Sequence, residues 1–216
     1  MKNHFHFLSL FQIAFFSSLL VLISFFKVSH LVGSQHAFIS LSDCLIPVSG
    51  SFIGLFGLFI FTFIRGAVTA HGSFFLFFSH LPSLFGGLAW ARPTVLVRVL
   101  VPALCMGLFW AHPTGATAGV YAFFWLIPIV IHLRGISGLV AHAYASTFVV
   151  HAVGSVTWLY THTMSAEQWV ALMPLVVIER SVLAGGAVVG YYLFQSILTL
   201  AQKRAFPKWF TPLLGV

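Results

Sequence analysis

Long apolar runs separated by short polar breaks organise the whole chain. Seven runs approach or exceed the roughly 20 residues that a membrane-spanning helix needs. They cover residues 5–26, 38–64, 67–90, 95–111, 116–133, 136–160 and 166–201. This pattern predicts an all-α fold, a polytopic membrane helix bundle of six or seven transmembrane segments. We expect residues 1–216 to form a single integral membrane domain.

Two of the runs leave alternatives open. The first is longer than the roughly 7–15 apolar residues of a signal peptide, which favours a retained span. The third is interrupted by His71-Gly72 and by His80-Leu81-Pro82. Because Pro and Gly are the strongest helix breakers, this run is a full span, a kinked span or a re-entrant piece.

The last run is preceded by a clear helix-start signal. Ser165 and Gln168 have the spacing of a capping box, and Met164 and Trp169 occupy the positions of a hydrophobic staple. The last helix is therefore predicted to begin at Ala166.

Composition excludes a soluble protein. Charged residues make up 6% of the chain and hydrophobic residues 60%, with a mean hydropathy of +1.04, whereas a soluble domain carries about 25% charged residues. The net charge of +7 does not indicate nucleic-acid binding, because the basic residues sit singly at the ends of apolar runs. Membrane proteins place basic residues in this way.

The basic residues also predict the orientation of the chain. One side of a seven-span arrangement carries Lys27, Arg92, Arg98, Arg134, Lys203, Arg204 and Lys208, and the other carries Lys2 and Arg65. The positive-inside rule then places the C-terminus in the cytoplasm of a multi-pass protein of the cell membrane. Six spans would place both termini there.

Two charged residues lie deep inside the last run. Glu179 and Arg180 follow Ala166 by about 20 Å along a helix at 1.5 Å per residue. Because a charge at such depth costs roughly 2.5–3.5 kcal/mol, each is expected to have polar company. Adjacent positions point about 100° apart, so we expect partners on other segments and not a good pair within the helix. A binding or conducting site and an interhelical clamp are both consistent with this pattern.

Other candidate binding residues lie in the sixth and second runs. His151, Ser155 and Trp158 share one helical face with Gly154. This face either lines a pocket for a small solute or packs closely, with His151 bonded to a main-chain carbonyl. Asp43, near the start of the second run, is a helix-capping residue, a partner for Arg180 or part of a cation site.

Several chemistries have no motif here. The chain has three acids in all, and it contains no nucleophile motif, phosphate loop or pair of carboxylates, so we predict neither catalysis nor a cofactor. The 11 histidines include no HxxxH or ExxH, which leaves haem or metal binding conceivable only between helices. Cys44 and Cys105 lie in apolar surroundings and are expected to be reduced and buried.

The overall plan resembles the substrate-binding S components of energy-coupling-factor transporters. The likeness lies in length, span number, orientation and short loops, and in Ala14-x-x-x-Ser18, which is similar to the small-residue contact on the first helix of that family. Stretches 43–57, 151–160 and 174–184 look like family signatures. The chain departs from the family in its third run and in its richness in His and Phe. The resemblance implies a transmembrane coupling subunit with ATPases as partner.

Three functional hypotheses follow. The first is a transport component that binds a micronutrient-like solute in an intramembrane pocket formed with His151, Ser155, Trp158, Glu179, Arg180 and Asp43. The second is a haem- or metal-handling membrane protein, and the third is a non-catalytic assembly subunit.

Overall fold

A computed structural model describes residues 18–20, 22–23, 25–30, 38–40, 42–69 and 80–203. Most of the predicted first span, including Ala14, lies outside these residues. Ser18, the other half of the predicted partner contact, is helical and exposed.

Helices dominate the described chain, which also contains one two-stranded antiparallel ribbon. Strand β1 (Lys27–His30) pairs with β2 (Phe38–Ser40). The helices in chain order are α1 (Ser42–Thr69), α2 (Leu81–Ala91), a π-helical turn (Leu96–Leu100) that leads into α3 (Val101–Ala111), α4 (Pro113–Thr117), a 3₁₀ helix (Gly119–Trp125), α5 (Leu126–Leu133), α6 (Leu139–Thr161), α7 (Ala166–Ala171) and α8 (Met173–Lys203).

The bounds of the second and third predicted runs are wrong in part. The second was expected to be helical from residue 38, but β2 pairs with β1 and α1 begins at Ser42. Helix α1 continues to Thr69, into the start of the predicted third run. Within the described residues, the third run is therefore divided between the end of α1 and the separate helix α2.

Within the described ranges, three helices are long and apolar enough to cross a membrane. They cover Ser42–Ile64, Leu139–Thr161 and Met173–Ser196. Three shorter apolar stretches, Leu81–Ala91, Leu96–Ala111 and Gly119–Leu133, lie between the first and the second of them along the chain. The predicted helical membrane character is thus confirmed at this coarser level.

The predicted capping box is present at the start of α7. The Ser165 hydroxyl accepts a hydrogen bond from the Gln168 main-chain N–H at 3.3 Å, and the Gln168 side chain accepts one from Ser165 N–H at 2.8 Å. The predicted last helix is nevertheless broken at Leu172, and α8 starts just before Pro174. A proline has no N–H to donate, so the ladder of hydrogen bonds is interrupted there.

The largest core cluster is aromatic and lies where α3, the 3₁₀ helix, α6 and α7 meet. Phe109 and Tyr121 stack with ring centroids 5.7 Å apart, and Tyr121 meets Trp169 edge-on at 4.9 Å. Trp125 completes this group and is fully buried. These rings surround the polar side chains of the candidate site.

Helices α1 and α2 approach closely at a glycine. A Cβ added at Gly50 would lie 2.6 Å from the carbonyl oxygen of Gly87. Glycine permits this close approach because it has no side chain to separate the two helices. Gly54, four residues after Gly50, has a φ of 65° and forms a kink within α1, with open space around it.

Gly50→Ala is expected to destabilise the folded protein by about 1–3 kcal/mol, because neither main chain can move aside cheaply. Gly107→Ala is the matched control, since that helical glycine has no neighbour within 4 Å. There the helix propensity of alanine should leave stability unchanged or raise it by up to about 1 kcal/mol. Unfolding with dodecyl sulfate in mixed micelles measures both, and equal midpoints for the two variants would contradict the close approach.

Candidate functional site

A buried chain of hydrogen bonds centres on His151 in α6. Its Nδ1 accepts from the indole N–H of Trp125 at 3.1 Å, so the proton of the neutral ring is on Nε2. Nε2 then donates to the Tyr121 hydroxyl at 2.9 Å, and Tyr121 also bonds the side chain of Ser155. His151 and Ser155 therefore both contact the Tyr121 side chain from one face of α6, the face that their spacing predicted.

Tyr121 and Trp125 were missed by sequence reasoning. They come from the 3₁₀ helix, and they replace the main-chain carbonyl that was one of the expected partners of His151. The available signal was their spacing, since two aromatic residues with polar tips lie four positions apart in the fifth apolar run.

Glu179 and Arg180 form a loose ion pair within α8. The Arg180 Nη2 lies 3.8 Å from the Glu179 Oε2, and the side chains are 10% and 17% exposed. The two neighbours do meet within the helix, but the distance is too long for a hydrogen bond, so this is not the good intrahelical pair that their spacing argued against. This contact therefore supplies only part of the charge compensation and hydrogen bonding that a buried guanidinium needs.

Two of the other predicted residues, Asp43 and His151, lie within electrostatic reach of Arg180. Its guanidinium interacts electrostatically with Asp43 in the first turn of α1 and with Tyr121, and His151 feels the charge of Arg180. Asp43 thus both sits in a first helical turn and lies near Arg180, in line with its predicted roles as a capping residue and as a partner for Arg180. Three helices and the 3₁₀ segment supply this group, which we call the buried cluster: Asp43, Tyr121, Trp125, His151, Ser155, Glu179 and Arg180.

Two buried donors beside the cluster have no acceptor among the described residues. They are the Nε of Arg180 and the indole N–H of Trp169, two of four such buried side-chain atoms. Both side chains neighbour Tyr121. An unsatisfied buried donor costs about 1–3 kcal/mol, and native proteins rarely leave two of them together. The arrangement is therefore suited to an additional molecule that supplies acceptors.

Trp158 does not join the buried cluster. Its ring stacks on His162 with centroids 3.5 Å apart and planes 6° apart, and its N–H points to the sulfur of Met164 at 3.2 Å. The helical spacing of Trp158 was correct, but its contacts lie toward the C-terminal end of α6. Its predicted role as a binding residue together with His151 stays a prediction.

A pocket of about 500 Å³ lies at this end of the bundle. We call it the end pocket, and it is lined by His112, Thr114, Leu159, Tyr160, Thr161, His162, Thr163, Met164 and Ser165. Its volume falls within the range of about 300–1,000 Å³ that is usual for small-molecule sites. His162 follows His151 by about 16 Å along α6, so the pocket lies on the same helix as the buried cluster.

The remaining predictions concern metals and thiols. Within the described ranges, no three His, Cys, Asp or Glu side chains come together in a way that could hold a metal ion. His142 bonds the carbonyl oxygen of Trp90 at 2.6 Å and so has a structural partner. Cys44 and Cys105 are free and buried, as predicted.

Comparisons with known proteins add no relative to these observations. No family model matches the chain, and neither a curated protein nor a solved structure shows significant similarity to it. The resemblance to S components therefore remains an expectation drawn from the sequence.

Proposed function

We propose that this protein is a membrane transport component that binds a small solute between its helices. The observation that carries the proposal is the pair of buried donors, Arg180 Nε and Trp169 N–H, that border Tyr121 without acceptors in the described chain. A solute with acceptor atoms would satisfy both donors and would offset the cost of burying Arg180.

The end pocket gives this solute a place of entry. It is formed by the turn after α3 and by the turn before α7, which in the predicted topology face the side opposite the C-terminus. Arg98 was assigned to the cytoplasmic side as a loop residue, but it is buried within a helix and is no longer used to assign the orientation. The remaining basic residues keep the same bias, so the end pocket faces outward and the C-terminus lies in the cytoplasm.

The transport arrangement follows the expectations from sequence. We propose a multi-pass bundle of six spans in the cell membrane, in which the shorter apolar helices cross as part of the bundle. Energy for uptake would come from a transmembrane coupling subunit with ATPases, because the sequence contains no phosphate-binding loop.

Native mass spectrometry of the detergent-purified protein tests the proposal. We expect a bound small molecule, and His151→Phe and Arg180→Lys should each lower its retention about tenfold while the protein still inserts in the membrane. The first change removes both ring nitrogens from the cluster, and the second keeps the charge but loses the Nε donor. Tyr192→Phe is the control, since Tyr192 lies on α8 and is 60% exposed. Undiminished retention in both cluster variants would contradict the assignment.

A further inference from the structure

The end pocket contains two imidazoles whose protons are placed by their neighbours. The Nδ1 of His112 accepts a hydrogen bond from the main-chain N–H of Thr114 at 3.3 Å. A main-chain amide can only donate, so this Nδ1 carries no proton. The neutral ring therefore has its proton on Nε2 and presents a donor.

His162 has the opposite arrangement. The Thr161 hydroxyl donates its single hydrogen to the carbonyl oxygen of Thr157 at 2.7 Å, so its oxygen accepts from the Nδ1 of His162 at 2.8 Å. The neutral His162 ring is then unprotonated at Nε2, which is an acceptor. Its stacking on Trp158 fixes the plane of the ring.

Three hydroxyls of the end pocket, those of Tyr160, Thr161 and Ser165, already have partners, whereas those of Thr114 and Thr163 can donate or accept toward a ligand. The Tyr160 hydroxyl donates to a main-chain carbonyl at 2.9 Å. The Ser165 hydroxyl bonds the exposed Glu167 and holds the pKa of that carboxyl below its usual range. In contrast, the Nε2 atoms of His112 and His162 have no hydrogen-bond partner within the described part of the chain. The two rings thus leave one N–H donor and one nitrogen acceptor for a ligand.

We infer that the end pocket binds an uncharged solute with an amide or lactam edge, whose carbonyl accepts from His112 and whose N–H donates to His162. A carboxylate fits less well, because it has no hydrogen to give to the His162 nitrogen. The inference deepens the proposed function and rests on it in treating the pocket as a solute site. It does not require that the solute be transported.

Two probes of nearly equal shape test the contribution of the ligand N–H that would donate to His162. 2-Pyridone carries the lactam N–H beside its carbonyl, and N-methyl-2-pyridone keeps the ring and the carbonyl but lacks the N–H. Equilibrium dialysis against the purified full-length protein in detergent should show roughly threefold to tenfold tighter binding of 2-pyridone, the ratio expected of one net hydrogen bond. Benzoate should bind no better than the methylated probe.

Two variants separate the roles of the histidines. His162→Phe keeps a ring on Trp158 but removes the acceptor, so 2-pyridone should fall to the affinity of N-methyl-2-pyridone, and the latter should be unchanged. His112→Ser keeps an oxygen that can accept from Thr114 N–H. It removes the donor to the carbonyl and should weaken both probes by a similar factor. His132→Phe, outside the pocket, should alter neither.

Equal affinities of the two probes for the unaltered protein would overturn the inference, as would a His162→Phe variant that loses both probes equally. Failures of the two proposals are distinguishable in the same material. Selective binding of 2-pyridone with no uptake by the reconstituted protein and its partners would contradict only the proposed function. Uptake of a solute without any preference at the end pocket would contradict only the present inference.

Discussion

Arg180→Leu is expected to destabilise the folded protein by about 3–5 kcal/mol. The substitution removes the ion-pair partner of Glu179, whose side chain is only 17% exposed, and so weakens the compensation of a carboxylate that is largely shielded from water. Unfolding with dodecyl sulfate in mixed micelles, or thermal unfolding in detergent, measures the loss.

The double variant Arg180→Leu/Glu179→Gln is the matched control. Removing both charges of a buried pair is often neutral, so most of the lost stability should return. The double-variant cycle isolates the interaction between the two residues from their packing. If the single and double variants were equally unstable, the 3.8 Å pair would contribute nothing and the prediction would fail.

The same double variant separates a clamp from a binding site. An interhelical clamp has no task besides stability, so a stable double variant should retain its bound solute as well as the unaltered protein does. In the proposed binding site the Arg180 Nε donor is absent from the double variant, so solute retention should remain low although stability has recovered. In the same variants, the stability measurement therefore tests the clamp and the retention measurement tests the binding site.

Local signals in the sequence predicted the helices well where the determinant was itself local. The break at His112-Pro113 divides the apolar residues between α3 and α4, and the capping box at Ser165 starts α7. Proline and capping side chains act on main-chain groups within a few residues, so sequence alone carries the information. The β1–β2 pairing depends on a partner segment about ten residues away and was not anticipated.

The sequence could predict some residues of the candidate site but not which partners they contact. His151 and Arg180 stood out because polar groups within apolar runs must find partners. Which partners they find depends on how helices pack, and Tyr121 reaches His151 across 30 residues of sequence. Trp158 shows the same limit, since helical spacing fixes the face of a residue but not what lies against it.

The second large effect concerns Arg98, a residue whose position in the sequence suggested a membrane-edge charge. It is 5% exposed, and its Nε and Nη2 both donate to the carbonyl oxygen of Ala89, at 3.1 and 3.0 Å. This carbonyl would normally accept from the residue four positions on, but Pro93 has no N–H. Arg98 therefore replaces the missing hydrogen bond at the end of α2, where the helix dipole also favours a cation.

Arg98→Met should destabilise the protein by about 2–3 kcal/mol, because it keeps the apolar stem but leaves the buried Ala89 carbonyl unpaired. Arg98→Lys should recover only part of this loss, since an ammonium cannot reproduce the two donors of the planar guanidinium. Arg92→Met, at an exposed neighbouring position, is the control and should change stability little. Hydrogen exchange supplies a local readout, because loss of the anchor should weaken amide protection in the last turn of α2 before it affects α6. An Arg98→Met variant with the stability of the unaltered protein would show that the end of α2 does not depend on this side chain.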